Sequence, residues 1–148
     1  MLELNLPRYK FKTKNEAGRL MIFDRCRRKH VALTPEEWVR QNFVEYLINE
    51  KRYPPGLISN ESTVHLNGLR KRCDTVIYNR NGQPEIIVEY KAPNVTITQE
   101  TFDQIAMYNF KMQVRYLIVS NGMNHFCCKI NYEEMRYEFL REVPECFF

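Results

Sequence analysis

The chain has 148 residues, 44% of them hydrophobic and 27% charged, which suits one soluble domain large enough to bury a core. No apolar run approaches the ~20 residues that a membrane helix needs. Pro7, Arg8, Lys10, Lys12 and Lys14 break up the start, where a secretory leader would need an apolar stretch; the expectation is a cytoplasmic protein with no membrane partner. The net charge of +4 is uneven, because residues 1–33 hold nine Lys or Arg against Glu3, Glu16 and Asp24.

That basic N-terminal extension contains two short apolar-alternating stretches, Tyr9–Thr13 and Leu20–Asp24, separated by residues 14–18. They predict a β-hairpin. The densest basic patch follows it: Arg25, Arg27, Arg28 and Lys29 beside His30. Such a patch either docks phosphates by releasing counterions or is simply a solvated basic hairpin.

Thr34-Pro35-Glu36-Glu37 is a helix start. Thr34 can cap, Pro35 suits the first helical position and Glu37 completes a capping box. The spacing of Val39, Phe43, Tyr46 and Leu47 predicts a helix to about Lys51, ended by Pro54-Pro55-Gly56. Strands are then predicted at Ser62–Leu66, Lys71–Tyr78 and Glu85–Lys91, followed by a helix at Gln99–Lys111. Strands at Arg115–Ser120, His125–Lys129 and Met135–Leu140 complete the order. One mixed sheet flanked by helices follows, α/β or α+β in class. No repeat, linker or low-complexity tract divides residues 1–148, so a single domain is expected. The five cysteines include no CxxC pair and the three histidines are scattered, a pattern of reduced thiols rather than a zinc knuckle.

The informative segment runs from Arg72 to Lys91. Asn81-Gly82 between two apolar runs is a strong hairpin signal, and a turn centred there sets Asp74 directly across from Glu89. Cross-strand partners share a face, and Lys91 points the same way because strands alternate. Ile77, Ile86, Val88 and Tyr90 then form the opposite, apolar face. Two carboxylates held that close repel, and a hard divalent cation relieves the repulsion; magnesium accepts one or two carboxylates, waters and a substrate phosphate. Lys91 could then stabilise the transition state or orient a water, and Arg70, Lys71 and Arg72 would add phosphate attraction. The bland alternative is a surface hairpin with a cross-strand acid–base cluster, although Glu89 and Lys91 interrupt an apolar strand where solvated charges are unexpected.

The arrangement Asp74…Glu89-Tyr90-Lys91 resembles the PD-(D/E)XK nuclease superfamily, more specifically the N-terminal domain of type I restriction enzyme R subunits in its compact form. Matching residues are Glu37-Trp38-Val39-Arg40-Gln41, Arg72-Cys73-Asp74, Glu89-Tyr90-Lys91-Ala92-Pro93, Gln104-Ile105-Ala106-Met107-Tyr108 and Ser120-Asn121-Gly122. They span about Thr34 to Lys129. The resemblance implies a restriction-endonuclease-like αβββαβ core over residues 34–129 and a metal-dependent endodeoxyribonuclease. It implies that Asp74 and Glu89 hold Mg2+ or Mn2+, with Glu37 assisting, and that Lys91 is the catalytic lysine. Gln104 and Tyr108 match the family's QxxxY motif; positions i and i+4 share a helix face, so both could point toward the hairpin, the alternative being a capping or core-edge pair. Glu61 also falls where the family has a Glu. Cys73 replaces the proline of the namesake dipeptide.

DNA is the implied partner, with Arg27, Arg28, Lys29, Arg70 and Arg72 as candidate contacts. Restriction-modification subunits are a further expected partner, and a two-fold homodimer would suit double-strand cleavage. No GxxxxGK[ST] phosphate loop occurs, so these residues carry no ATPase motor. The alternative function is a catalytically silent DNA-binding or interaction module that keeps the nuclease fold.

Overall fold

The computed structural model describes all 148 residues. A small three-stranded antiparallel sheet comes first: β1 Thr13–Glu16, β2 Arg19–Asp24 and β3 Lys29–Ala32. The expected hairpin is present but its first strand starts at Thr13 rather than Tyr9. Ala17 and Gly18 both take positive φ (51° and 80°), making the two-residue turn that matches strand twist. The residues of β1 are all exposed, so that strand lacks the apolar alternation that would mark it. β3 was not expected; it follows a loop closed by Asp24, whose Oδ1 accepts from the amides of Cys26 (2.7 Å) and Arg27 (3.0 Å).

Helix α1 spans Pro35–Asn49. Thr34 caps it, its hydroxyl accepting from the Glu37 amide at 3.0 Å. The capping box is left half-made, because the Glu37 side chain turns to arginines instead. A six-stranded sheet follows in the order β4-β5-β6-β7-β8-β9: β4 Ile58–Leu66, β5 Leu69–Tyr78, β6 Pro84–Tyr90, β7 Tyr116–Ser120, β8 His125–Asn131 and β9 Arg136–Leu140. Every neighbouring pair is antiparallel except β6 and β7. That parallel step requires a crossover, and helix α2, Gln99–Phe110, supplies it. The class is the expected mixed α/β.

Each face of the sheet buries one core. Against α1 pack Val39, Phe43 and Leu47 with Ile77, Ile86, Val88 and Tyr90, the apolar set expected of the hairpin. Against α2 pack Phe102, Ala106 and Phe110 with Val76, Ile87, Leu117 and Val119. The central strands β6 and β7 are buried on both sides, which explains their near-continuous runs of Ile, Val and Leu. No helix is long and apolar enough to cross a membrane.

Candidate active site

The β5–β6 hairpin reaches the expected register by a different turn. Asn79 to Gln83 form a longer loop: the Asn79 amide donates to the Gln83 carbonyl (2.8 Å), the Gly82 amide to the Asn79 carbonyl (3.0 Å), and Asn79 Oδ1 accepts from Asn81 and Gln83. Gly82 takes φ 76° but Asn81 is not left-handed, so the Asn-Gly pair is not the two-residue turn. An irregularity between Ile77 and Tyr78 absorbs the extra residue, and Ile77↔Ile86 and Thr75↔Val88 are then paired. Asp74 and Glu89 come next in that register.

Both acids line one open cleft of ≈ 410 Å³ together with Lys91, Gln104 and Tyr108, and with Glu36, Lys71, Tyr90 and Ile105. Asp74 is fixed by its own hairpin, since Oδ2 accepts from the Tyr90 amide at 2.8 Å. Glu89 Oε1 meets Lys71 Nζ at 2.7 Å. Lys71 also donates to Asn109 Oδ1 (3.3 Å) and stands 4.7 Å above the Tyr108 ring. Burial, helped by Asp74, pushes the Glu89 carboxyl up to about 7 even though Lys71 pulls the other way. Glu36, at the start of α1, is raised by burial and then by Asp74, with Arg40 and Lys91 opposing. No group of three or more His, Cys, Asp or Glu side chains stands close enough to hold an ion. The cleft instead sets two part-buried carboxylates side by side, Glu89 paired with Lys71, a donor set that would suit Mg2+ or Mn2+, whose remaining positions go to water and phosphate.

Glu37 is not in this cleft. Its carboxylate bonds Arg27 Nη2 at 2.7 Å and Gln41 Nε2 at 3.0 Å, and Arg40 Nε lies 3.4 Å away. Helical rotation decides this: one residue earlier, Glu36 faces the acids, while Glu37 turns to the N-terminal sheet. Arg27 is also spoken for, because it bridges Asp24 and Glu37 with its side chain only 17% exposed. Arg28 and Lys29 beside it are exposed.

Arg70 and Arg72 do not line the cleft either, whereas Lys71 between them does. Strict alternation from Asp74 predicts the reverse. The strands invert their faces here: Cys73 and Val76 share the α2-side core although three positions apart, and Ile58 and Val64 lie in opposite cores although six apart. In the sequence Lys71 offers only general phosphate attraction; no pattern signals that it reaches Glu89. Asn109, fully buried and turned to Lys71, gave no signal either.

The cleft, with Asp74 and Glu89 from the β5–β6 hairpin and the lysines Lys71 and Lys91, lies on a mixed α/β fold of the restriction-endonuclease-like kind. The family described as Type I restriction enzyme R protein N terminus (HSDR_N) matches residues 35–144, and the chain belongs to it. Among solved structures the chain is similar to a fragment assigned to an HsdR subunit of a type I restriction enzyme from Vibrio vulnificus YJ016. The identity is 21% and the TM-score 0.52, over 76% of this chain and 24% of that one; this chain thus spans about a quarter of that relative's length. A protein assigned as a nuclease of the DUF820 group from Anabaena variabilis ATCC 29413 matches at 12% identity and TM-score 0.48, over 93% of this chain and 80% of that one. No curated protein matches the chain.

Proposed function

We propose that the protein is a metal-dependent endodeoxyribonuclease that hydrolyses phosphodiester bonds of DNA with water as nucleophile. The observation that carries this reading is the convergence of Asp74, Glu89 and Lys91 in one cleft with Gln104 and Tyr108. Asp74 and Glu89 would hold Mg2+ or Mn2+, which when bound polarises the scissile phosphate and acidifies a water. Asp74 is already oriented for this by the Tyr90 amide. Lys91, fixed at its backbone by a 2.9 Å bond from its amide to the Ser120 carbonyl and lining the cleft, would stabilise the negative charge that grows on the phosphate. Gln104 and Tyr108 border the cleft from α2 and would seat the DNA strand. Arg28, Lys29, Arg70 and Arg72 are exposed cations suited to backbone phosphates. Assembly with restriction-modification subunits follows from family membership as part of the same proposal.

A plasmid nicking assay tests the reading. Purified protein nicks with Mg2+ or Mn2+ and not with EDTA, and Asp74→Ala, Glu89→Ala and Lys91→Ala each lose about 100-fold or more, the scale of removing a group that stabilises the transition state. DNA binding that survives in all variants, with no nicking by the wild type, would establish the silent binding module instead.

A further inference from the structure

The inversion that brings Lys71 into the cleft has a definite hinge. Between the β4–β5 pairs Asn60↔Thr75 and Ser62↔Cys73, the facing residues Glu61 and Asp74 are not paired. Glu61 there takes φ 53°, a left-handed conformation that costs a side-chain-bearing residue free energy and persists only where surroundings enforce it. The enforcing groups are two arginines. Arg40 of α1 donates through Nη2 to Glu61 Oε1 at 2.6 Å, and Arg72 through Nε to Oε2 at 2.7 Å. Arg40 also reaches across the hinge: Nη1 donates to the Asp74 carbonyl at 3.4 Å, and its guanidinium lies 5.8 Å from the centre of the Tyr90 ring. Tyr90 is the residue whose amide holds the Asp74 carboxylate.

Arg40 is buried, 4% exposed, and Glu37 Oε2 stands 3.4 Å behind its Nε, an ion pair without a hydrogen bond. One charged relay therefore runs from the N-terminal sheet through Arg27, Glu37 and Arg40 to Glu61, and ends on the backbone of the candidate metal ligand. A β-ribbon without the inversion would send Lys71 to the face opposite Asp74 and bring Arg70 and Arg72 round beside it.

We propose that Glu61 is a positioning residue for the cleft: clamped by Arg40 and Arg72, it holds the left-handed kink that turns Lys71 onto the side where Asp74 meets Glu89 and keeps the Asp74 backbone in place there. The proposal rests on the metal-site reading given above, and it is tested without turnover. Mn2+ binding to the full chain is measured by calorimetry, with thermal unfolding confirming that each variant is folded.

Glu61→Ala and Glu61→Gly remove the same charge and the same clamp but differ in backbone, because only glycine adopts the left-handed region freely. The expected result is about a tenfold loss of Mn2+ affinity in Glu61→Ala, the scale for groups that orient a ligand, with part of it recovered in Glu61→Gly. Arg40→Gln is expected to weaken binding as well, although it removes a positive charge near a cation site. Equal affinities for the alanine and glycine variants would overturn the proposal, as would tighter binding by a folded Arg40→Gln; both outcomes mean simple through-space electrostatics. If Arg40→Gln does not fold, the alanine–glycine pair decides alone. Absence of Mn2+ binding in the wild type would overturn the metal-site reading and this proposal together, whereas binding indifferent to all three variants would overturn only this one.

Discussion

Two pairs of carboxylates sit on opposite sides of the hairpin, and their surroundings differ in kind. On the α1 side Asp24 accepts from two backbone amides, Arg27 and Asn60. Burial alone would raise its carboxyl, but the Asn60 and Arg27 bonds outweigh that and hold it below the usual range. Glu37 beside it takes Arg27, Gln41 and the flank of Arg40. On the α2 side Glu89 has one directly bonded cation, Lys71, and the Asp74 carboxylate takes only the Tyr90 amide, while burial keeps Glu89 high. Lys91 lines the same cleft and pairs with neither acid. The first pair is electrostatically finished; the second is left short of positive charge. A buried acid whose donors are all supplied by protein serves the fold, and one left wanting a cation is placed to receive one.

The largest expected effect falls on the finished pair. Asp24→Ala leaves the Arg27 guanidinium and the Asn60 amide buried without their acceptor. Breaking such a pair costs about 3–5 kcal/mol, roughly a 10 °C fall in Tm for a chain of this size. A melting temperature within two degrees of wild type would break the comparison, since Asp24 would then be no more structural than Asp74.

A smaller effect separates the pairs by the sign of their pH dependence, measured in EDTA. Glu89 binds its proton more tightly folded than unfolded, so its contribution is present below about 4.5 and is lost as pH rises to about 7. The loss is on the order of 1–3 kcal/mol. Asp24 runs the other way: its carboxyl is depressed, so stability is present above the ordinary carboxylate range and is lost as pH falls through the depressed value. In urea unfolding at pH 4.5, 6 and 8 the stability of wild type relative to Glu89→Gln should therefore fall with rising pH; Glu36, raised by burial, and His125, lowered by burial, titrate in both proteins and cancel in that difference. An unchanged slope in Glu89→Gln would place the titration elsewhere.

Most of the fold was legible because its signals are local. The Thr34-Pro35 start, the buried runs of β6 and β7 and the helical spacing of α2 each follow from propensity and period. The Asp74–Glu89 register was legible too, although by a turn other than the one expected: two different loops can deliver one register when the apolar faces must match. What escaped depended on non-local partners. Glu37 fits a capping box and a family position equally well in sequence; Arg27, ten residues earlier in the β2–β3 loop, draws it away together with Gln41 and Arg40. The exposed strand β1 carries no apolar alternation. The face inversion at Glu61 was invisible because no glycine marks it; an ion-pair clamp does the work a glycine would advertise.

The smallest effect tests whether the basic loop serves the finished pair or the DNA, one residue at a time. Arg27 and Arg28 are neighbours of equal charge, yet Arg27 is bonded to Asp24 and Glu37, while Arg28 stands exposed at the loop with φ 54°. Composition treats them alike; geometry does not. Arg28→Gln should leave Tm unchanged and reduce the slope of log affinity for duplex DNA against log salt by about one, as loss of a single phosphate contact does. Arg27→Gln should lower Tm by several degrees, through about 1–3 kcal/mol of unpaired carboxylate, and leave the salt slope alone in the folded protein. Fluorescence anisotropy over a range of salt concentrations reads both slopes. If the two variants shift the slope equally, Arg27 reaches phosphate despite its internal partners, and the division between fold-serving and ligand-serving charge does not extend to this loop.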